Sequence, residues 1–406
     1  MADHKGSNKT TTLNFIDVFS GAGGLSCGLE QAGLRCLLGV DINKSAIQSF
    51  LANHKHAVAF DGDIKKLDKK KLDQLLGGQT VHAVVGGPPC QGFSTVGKGD
   101  PKDERNSLFM EFFRLVKVTV PWFVVIENVT GLLAKKNEKT LQNIFWQFEK
   151  LGYHLGVQVL SAEKFGTPER RRRTIIIGTR LPVNVVFPIE THDTTINDKY
   201  VGPVTVAQAL ADLSAAKGQI HNHDLNFAAL KSETDKKRLA RIPEGKGIRY
   251  KKDEDQYLPK NLKLGVDWSK LPENRFRQTK YQRLDGQKPS PTIMTHRHGY
   301  FHPTENRYLT QREAARLQSF PNDFIFYGPV SEQWRQIGNA VPPKLGEAIG
   351  KSIVRMLKEY QTNQSKKAQV QNKKSAPKEL LEHKIGRVRG GAFRYKVKNS
   401  DETLNN

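Results

Sequence analysis

Cys90 follows two prolines in the stretch VVGGPPCQGFSTVGKG, at the end of an apolar run and the start of a glycine-containing loop. Open sheets present their ligand-facing residues just past the ends of strands, so a thiol in this position is placed for chemistry more than for packing. A thiolate is suited to reversible addition to an electron-poor carbon. Carbon 5 of a pyrimidine is a centre that needs such help, because it becomes nucleophilic only when a nucleophile adds at carbon 6 and turns the ring into an enamine. That addition loads negative charge onto the ring, and a proton donor at N3 neutralises it. FVVIENV supplies a candidate in Glu127, which follows an apolar run where desolvation raises a carboxyl pKa and keeps a proton available. Taken alone, Glu127 fits equally well as the cap of a following helix.

Two further groups bear on the same chemistry. In FGTPERRRR an extended backbone puts Arg171 and Arg173 on one face and Arg170 and Arg172 on the other, so one pair could hold a base and its phosphate. A bare arginine run also fits a solvated face. Near the start, DVFSGAGG ends one apolar run and opens a helical one, and its glycines let a ligand approach the backbone. VDIN then places Asp41 where an acid can bond both ribose hydroxyls, and DGDI offers Asp63 on the same edge. Many nucleotide binders share such a loop, and each acid could be a turn or a cap. The loop lacks the GxxxxGK[ST] spacing of a triphosphate cradle, which weakens kinase and ATPase readings.

The elements that must position these residues alternate. NFIDVF, LRCLLGVDI, AVAFDGDI, VHAVVGG, WFVVIENV, HLGVQVL and RTIIIGT read as strands, separated by amphipathic segments such as NKSAIQSFLANH, SLFMEFFRLVKV and TLQNIFWQFEKLGY. This pattern predicts an α/β fold, a doubly wound, mostly parallel sheet, over residues 12–180. Periodicity fades between Leu181 and Arg283 into charge, Pro and Gly, so residues 181–330 read as a smaller, irregular module. Thr310 and Glu313 have capping-box spacing, marking a helix start. Residues 331–360 hold a last helix, LGEAIGKSIVRMLKEY, and residues 361–406 read as a basic, disordered tail.

Composition narrows the partners. Lys and Arg number 64 against 41 Asp and Glu, a net charge of +23 that attracts a polyanion, nucleic acid foremost. The three cysteines form neither a disulfide framework nor a metal-ligand spacing, which fits a reducing compartment. No stretch approaches the roughly 18 apolar residues that span a bilayer, so a cytoplasmic protein with no membrane association is expected. His296 and His298 have no Cys or acidic partner at metal spacing, and no metal is expected.

In order, these segments resemble the C5-cytosine DNA methyltransferase family of the bacterial restriction-modification type. FIDVFSGAGG is similar to its first cofactor motif, GGPPCQGFS to its nucleophile motif, IENV to its glutamate motif and FGTPERRRR to its arginine motif. RLDGQKPSPTI, LTQREAARLQSFP and QIGNAVPP resemble its closing motifs. The resemblance implies a Rossmann-like sheet with a target-recognition domain, and S-adenosylmethionine as cofactor. Phe19 would lie against the adenine, with the backbone at Gly21 and Gly23, Asp41 on the ribose, Ile42, Asp63 and Ile64 beside the base, and Asn339 joining from the C-terminal segment. Cys90 would be the nucleophile, Glu127 the N3 partner and Arg173 the contact to the cytosine O2, with Arg171 a further catalytic residue in register beside it. Two departures stand out: Glu169 replaces the family's usual Gln, and Asp41 its usual Glu.

The target cytosine must leave the duplex stack, which implies base flipping. STVGKGDPKDER, after the nucleophile, suits a mobile lid, with Gln91, Ser94, Lys98 and Arg105 facing DNA; an ordinary surface loop is the alternative. Arg249, Tyr250, Lys251 and Lys252 could contact phosphates or bases. The implied partner is double-stranded DNA, acted on by a monomer, with any cognate restriction endonuclease acting separately. A tRNA methyltransferase shares the chemistry, but such relatives usually carry a second cysteine signature in the variable region, where this chain has no cysteine. Intact Cys90 and Glu127 speak against an inactive DNA-binding homologue.

Overall fold

Seven apolar runs form the seven strands of one sheet: β1 (Asn14–Val18), β2 (Arg35–Asp41), β3 (Val58–Asp61), β4 (Ala83–Gly86), β5 (Phe123–Asn128), β6 (His154–Ser161) and β7 (Arg172–Thr179). The computed structural model describes residues 12–89, 104–194, 200–213, 220–370, 381–387 and 393–399. Strand order is β3-β2-β1-β4-β5-β7-β6. All neighbours from β3 to β5 pair in parallel, and β7 runs antiparallel to both β5 and β6. This is the doubly wound α/β sheet expected from the alternation.

Both faces of the sheet are covered, which the period of two along the central strands makes possible. Ile16, Val84 and Val124 join one core with Leu72 of α3 (Lys69–Leu76), Phe112 of α4 (Glu104–Thr119) and Phe145 of α5 (Glu138–Lys150). Their neighbours Phe15, Val85 and Val125 join the opposite core with Leu25 of α1 (Gly24–Gln31) and Phe50 of α2 (Lys44–Asn53). The helix Pro343–Val370 closes that second layer through Leu345, Ile349 and Ile353. Its backbone meets α1 at Gly28, where a Cβ would stand 2.2 Å from the Pro343 carbonyl oxygen.

The second lobe has its own core of Ile242, Ile248, Leu258, Leu262 and Trp268. Here β8 (Ile248–Tyr250) and β9 (Arg275–Lys280) form an antiparallel ribbon. A third cluster, from Ala22 and Cys27 through Leu309, Phe320 and Ile337, joins the lobes. The capping box forms: the Thr310 amide donates to Glu313 Oε2 at 2.8 Å and the Glu313 amide to Thr310 Oγ1 at 3.2 Å.

The tail differs from its sequence reading. The last helix runs to Val370, past Tyr360, because its Gln, Lys and Ala residues are good helix formers with no breaker among them. Leu381–Arg387 and Phe393–Asn399 pair as antiparallel strands, the second alternating apolar Phe393, Tyr395 and Val397 with basic Arg394, Lys396 and Lys398. Among the described residues no helix is long and apolar enough to cross a membrane.

Candidate active site

The ends of β1, β2, β4 and β5 meet at one cleft of about 690 Å³. Phe19, Gly21, Asp41, Ile42, Asp63, Ile64, Glu127 and Asn339 all line it, as do Pro88 and Pro89. Cys90, Gln91, Ser94 and Lys98 lie outside the described residues, as does the expected lid up to its last two residues. Arg105 falls in the first turn of α4, where only the backbone is described.

The loop after β1 is held in an uncommon conformation. Phe19 has φ 64°, a left-handed geometry that costs a side-chain-bearing residue roughly 1–2 kcal/mol. Hydrogen bonds hold it there: the Phe19 and Ser20 amides donate to the Val40 carbonyl at 2.8 and 3.0 Å, and the Gly21 amide donates to Asp41 Oδ2 at 2.8 Å. Asp41 Oδ1 accepts from the Asn43 amide, also at 2.8 Å. Asp41 thus fastens the loop to β2, and each oxygen keeps a second lone pair for a hydroxyl. Burial raises its pKa, against those amide bonds that lower it.

The two glycines of the loop play different parts. Gly21, at φ 54°, has nothing within 4 Å of its Cβ position and opens on the cleft. Gly23, at φ 93°, is not a lining residue; a Cβ there would stand 2.1 Å from Nε2 of His54. His54 in turn reaches Glu30 at 2.7 Å. Opposite the loop, Ile42 is 73% exposed, an apolar surface against which a planar base can rest. A nucleoside-bearing cofactor fits this combination of open backbone, carboxylates and exposed apolar surface.

Glu127 sits at the end of β5 with its side chain 13% exposed, its Oε1 2.8 Å from Nε of Arg173 on β7. Its Oε2 faces Gly87, where a Cβ would stand 3.0 Å away. The strand leading to Cys90 therefore passes directly beside this carboxyl, and Asn128 Nδ2 donates to the Pro88 carbonyl at 2.9 Å. Burial raises the Glu127 pKa; Arg173 and then Arg171 pull it back.

The arginine run divides as its extended backbone requires. Arg171 and Arg173 turn inward, while Arg170 and Arg172 are exposed. Arg171 is 1% exposed and donates from Nη2 to the Gly338 carbonyl at 2.8 Å, beside Asn339 of the cleft. Its Nη1 lies 3.6 Å from Oε1 of fully buried Glu169, and burial pushes the guanidinium down to about 10. Neither Arg171 nor Arg173 lines the cleft itself.

Several residues of the site were not singled out in the sequence. Asp17, buried beneath the glycine loop, accepts from Ser26 Oγ at 2.6 Å, and burial pushes it up to about 7. Its place in DVFSG, two residues before Phe19, was the available signal. Glu169 accepts from the Ile293 amide at 2.6 Å, tying the arginine motif to PSPTI of the second lobe. Its replacement of the usual Gln marked it as different without revealing that partner. Cys27 and Cys36 are buried free thiols, the former pushed up to about 12 by burial. Among the described residues no group of three His, Cys, Asp or Glu side chains could hold a metal ion.

Known proteins are similar to this chain. The family model of the C-5 cytosine-specific DNA methylase matches residues 13–355. Type II methyltransferase M1.HphI of Haemophilus parahaemolyticus is 36% identical over 354 residues, 85% of this chain and 87% of that protein. Type II methyltransferase M.NgoFVII of Neisseria gonorrhoeae is 33% identical over 392 residues, 95% of this chain and 96% of that one. A crystal structure of a prophage-encoded E. coli protein, assigned as a DNA modification methyltransferase, superposes with a TM-score of 0.64 at 26% identity, covering 86% of this chain and 100% of its own. The glycine loop, Glu127 at the end of β5, and Arg171 and Arg173 where β7 begins thus sit within a match that spans both lobes, and the chain belongs to the C-5 cytosine-specific DNA methylase family.

Proposed function

We propose that this DNA cytosine-5-methyltransferase acts on a cytosine flipped from duplex DNA, with Cys90 as nucleophile and S-adenosylmethionine as methyl donor. The supporting observation is that Glu127, on the wall of the cleft that holds the glycine loop and beside the segment leading to Cys90, pairs with Arg173 at 2.8 Å. S-adenosylmethionine, when bound, supplies an electrophilic methyl group. Phe19, Asp41, Ile42, Asp63, Ile64 and Asn339 are the residues that would hold it, with the open backbone at Gly21.

The Cys90 thiolate forms a bond to C6, and the displaced ring electrons move toward C5 and N3. Glu127 supplies a proton at N3, and Arg173 fixes the base through O2. Carbon 5 would then take the methyl group, the cofactor leaving as its neutral thioether; a base would remove the C5 proton, whose electrons restore the double bond as the C6–sulfur bond breaks, and N3 would return its proton to Glu127. Flipping costs roughly a few kcal/mol, recovered in contacts to the extruded base. Residues 181–330 would recognise the target sequence. The modification partner of a separate restriction endonuclease is the role that fits the Type II relatives.

The deciding experiment maps 5-methylcytosine at base resolution in DNA from cells expressing the wild type or Cys90→Ser. Methylation at one recurring sequence with the wild type and none with the variant is expected. Intact-mass analysis after incubation with 5-fluorocytosine duplex should show a DNA adduct. An adduct with tRNA and none with DNA overturns the substrate assignment.

A further inference from the structure

A second cleft, of about 610 Å³, lies in the smaller lobe along β9 and is not part of the cofactor site. Arg249, Arg277, Lys280 and His298 line it. Its one acidic lining residue, Asp235, is already engaged by the Tyr281 hydroxyl and lies 3.5 Å from Arg238. The cleft is therefore a concave, positively charged surface that suits a polyanion.

Side-chain partners decide which guanidinium of β9 is free. Phe276 packs edge-on against buried Trp268, ring centroids 4.8 Å apart, and Lys280 lies over the Phe276 ring at 5.6 Å. Residues 276 and 280 thus share one side of the strand, with Lys280 exposed at its end, and 275, 277 and 279 share the other. On that second side Arg275 is ion-paired with Glu273 at 2.6 Å, and Thr279 is half-buried. Arg277 is exposed and makes no hydrogen bond or ion pair among the described residues.

The cleft also abuts the catalytic lobe. Pro291 and Met294 form part of its wall. Between them the Ile293 amide is bonded to Glu169, and just before them the Ser290 carbonyl accepts from the Arg170 amide at 2.8 Å. A duplex lying along the ribbon is thereby registered against the arginine motif that pairs with Glu127.

The geometry points to Arg277 as a specificity-determining residue, carried by the β8–β9 ribbon into the major groove and reading a guanine through its O6 and N7 edge. This rests on the proposed DNA recognition by residues 181–330. The major groove admits a two-stranded ribbon, and a free guanidinium to guanine is the commonest base-specific contact there. Neighbouring cationic side chains of the cleft serve the phosphates, which position the duplex without reading it.

The test uses the full-length chain with Arg277→Ala and Arg277→Lys, each compared with the wild type by base-resolution 5-methylcytosine mapping and by methylation of duplexes changed one base at a time. Arg277→Ala should lose preference for guanine at one position of the site by roughly 10- to 100-fold and keep it elsewhere, with Arg277→Lys between. Replacing that guanine by 7-deazaguanine should slow the wild type and leave Arg277→Ala unaffected. Unchanged preference at every position overturns the assignment. So does uniform weakening across sequences with a fall of about one in the salt slope, the mark of a phosphate contact. Absence of any methylation by the wild type would instead refute the proposed function.

Discussion

Nε of Arg173 stands 2.8 Å from Oε1 of Glu127, an ion pair that bridges adjacent strands β7 and β5. Burial and the guanidinium act on this carboxyl in opposite directions. Removing Arg173 leaves burial less opposed, so Glu127 in Arg173→Ala holds its proton to higher pH than in the wild type. Carboxyl-carbon NMR titration measures this, and a titration at equal or lower pH would contradict it. Glu127→Gln should reduce kcat by roughly 10²- to 10⁴-fold, the range for loss of an acid–base group, with S-adenosylmethionine affinity retained in calorimetry.

Asp17 makes stability depend on pH. Its folded pKa is raised from 3.8 to about 7, so between those values the folded state keeps a proton that the unfolded state releases. Its contribution is most favourable below the lower value and is lost as pH rises through the upper one. Asp17→Asn has no such titration and should gain on the wild type by roughly 2–3 kcal/mol between pH 5 and pH 8. Urea unfolding at the two pH values checks this; a constant gap would show that Asp17 does not titrate there.

Gly21 and Gly23 should separate binding from folding. Gly23→Ala places a methyl group 2.1 Å from His54 Nε2 at φ 93°, and should cost roughly 2–5 kcal/mol of stability. Gly21→Ala meets no atom within 4 Å, so its stability cost is only the left-handed backbone, about 1–2 kcal/mol. Its larger effect should be weaker S-adenosylmethionine binding. Thermal unfolding and calorimetry of both variants test the contrast, and equal stability losses would refute it.

The buried Glu169–Arg171 pair carries a different expectation. Glu169→Ala strands the Arg171 guanidinium without its carboxylate and leaves the Ile293 amide unbonded. A loss of about 3–5 kcal/mol is expected. Glu169→Gln keeps an acceptor for that amide and should lose less. Denaturant midpoints rank the two, and the reverse order would show that the amide contact is not what matters.

Much of this was legible in the sequence for identifiable reasons. The seven strands are short, β-rich apolar runs separated by amphipathic segments, so local pattern and tertiary packing agree. Thr310 and Glu313 could be read as a helix start because a capping box depends only on residues three apart. Arg171 and Arg173 shared a side because an extended backbone dictates it. What escaped the reading depends on distant partners. Gly23 is required by the His54 ring, which arrives from the far end of α2. Asp41 clamps the Gly21 amide, and Glu169 bonds Ile293, 124 positions away. The extra turns beyond Tyr360 escaped for another reason: low apolar content was read as disorder, although the segment to Val370 has no Gly or Pro to break the helix.

The contact of α1 with the helix Pro343–Val370 sets an order of events during synthesis. Strands β1 to β5 and the glycine loop emerge from the ribosome first, yet Asn339 and the layer that covers α1 are among the last parts of the fold to be made. A nascent chain lacks one wall of its own cleft until the segment around Asn339 has been made. Completion of the site is therefore coupled to synthesis of that segment, and a product terminated before it would be both unstable and silent.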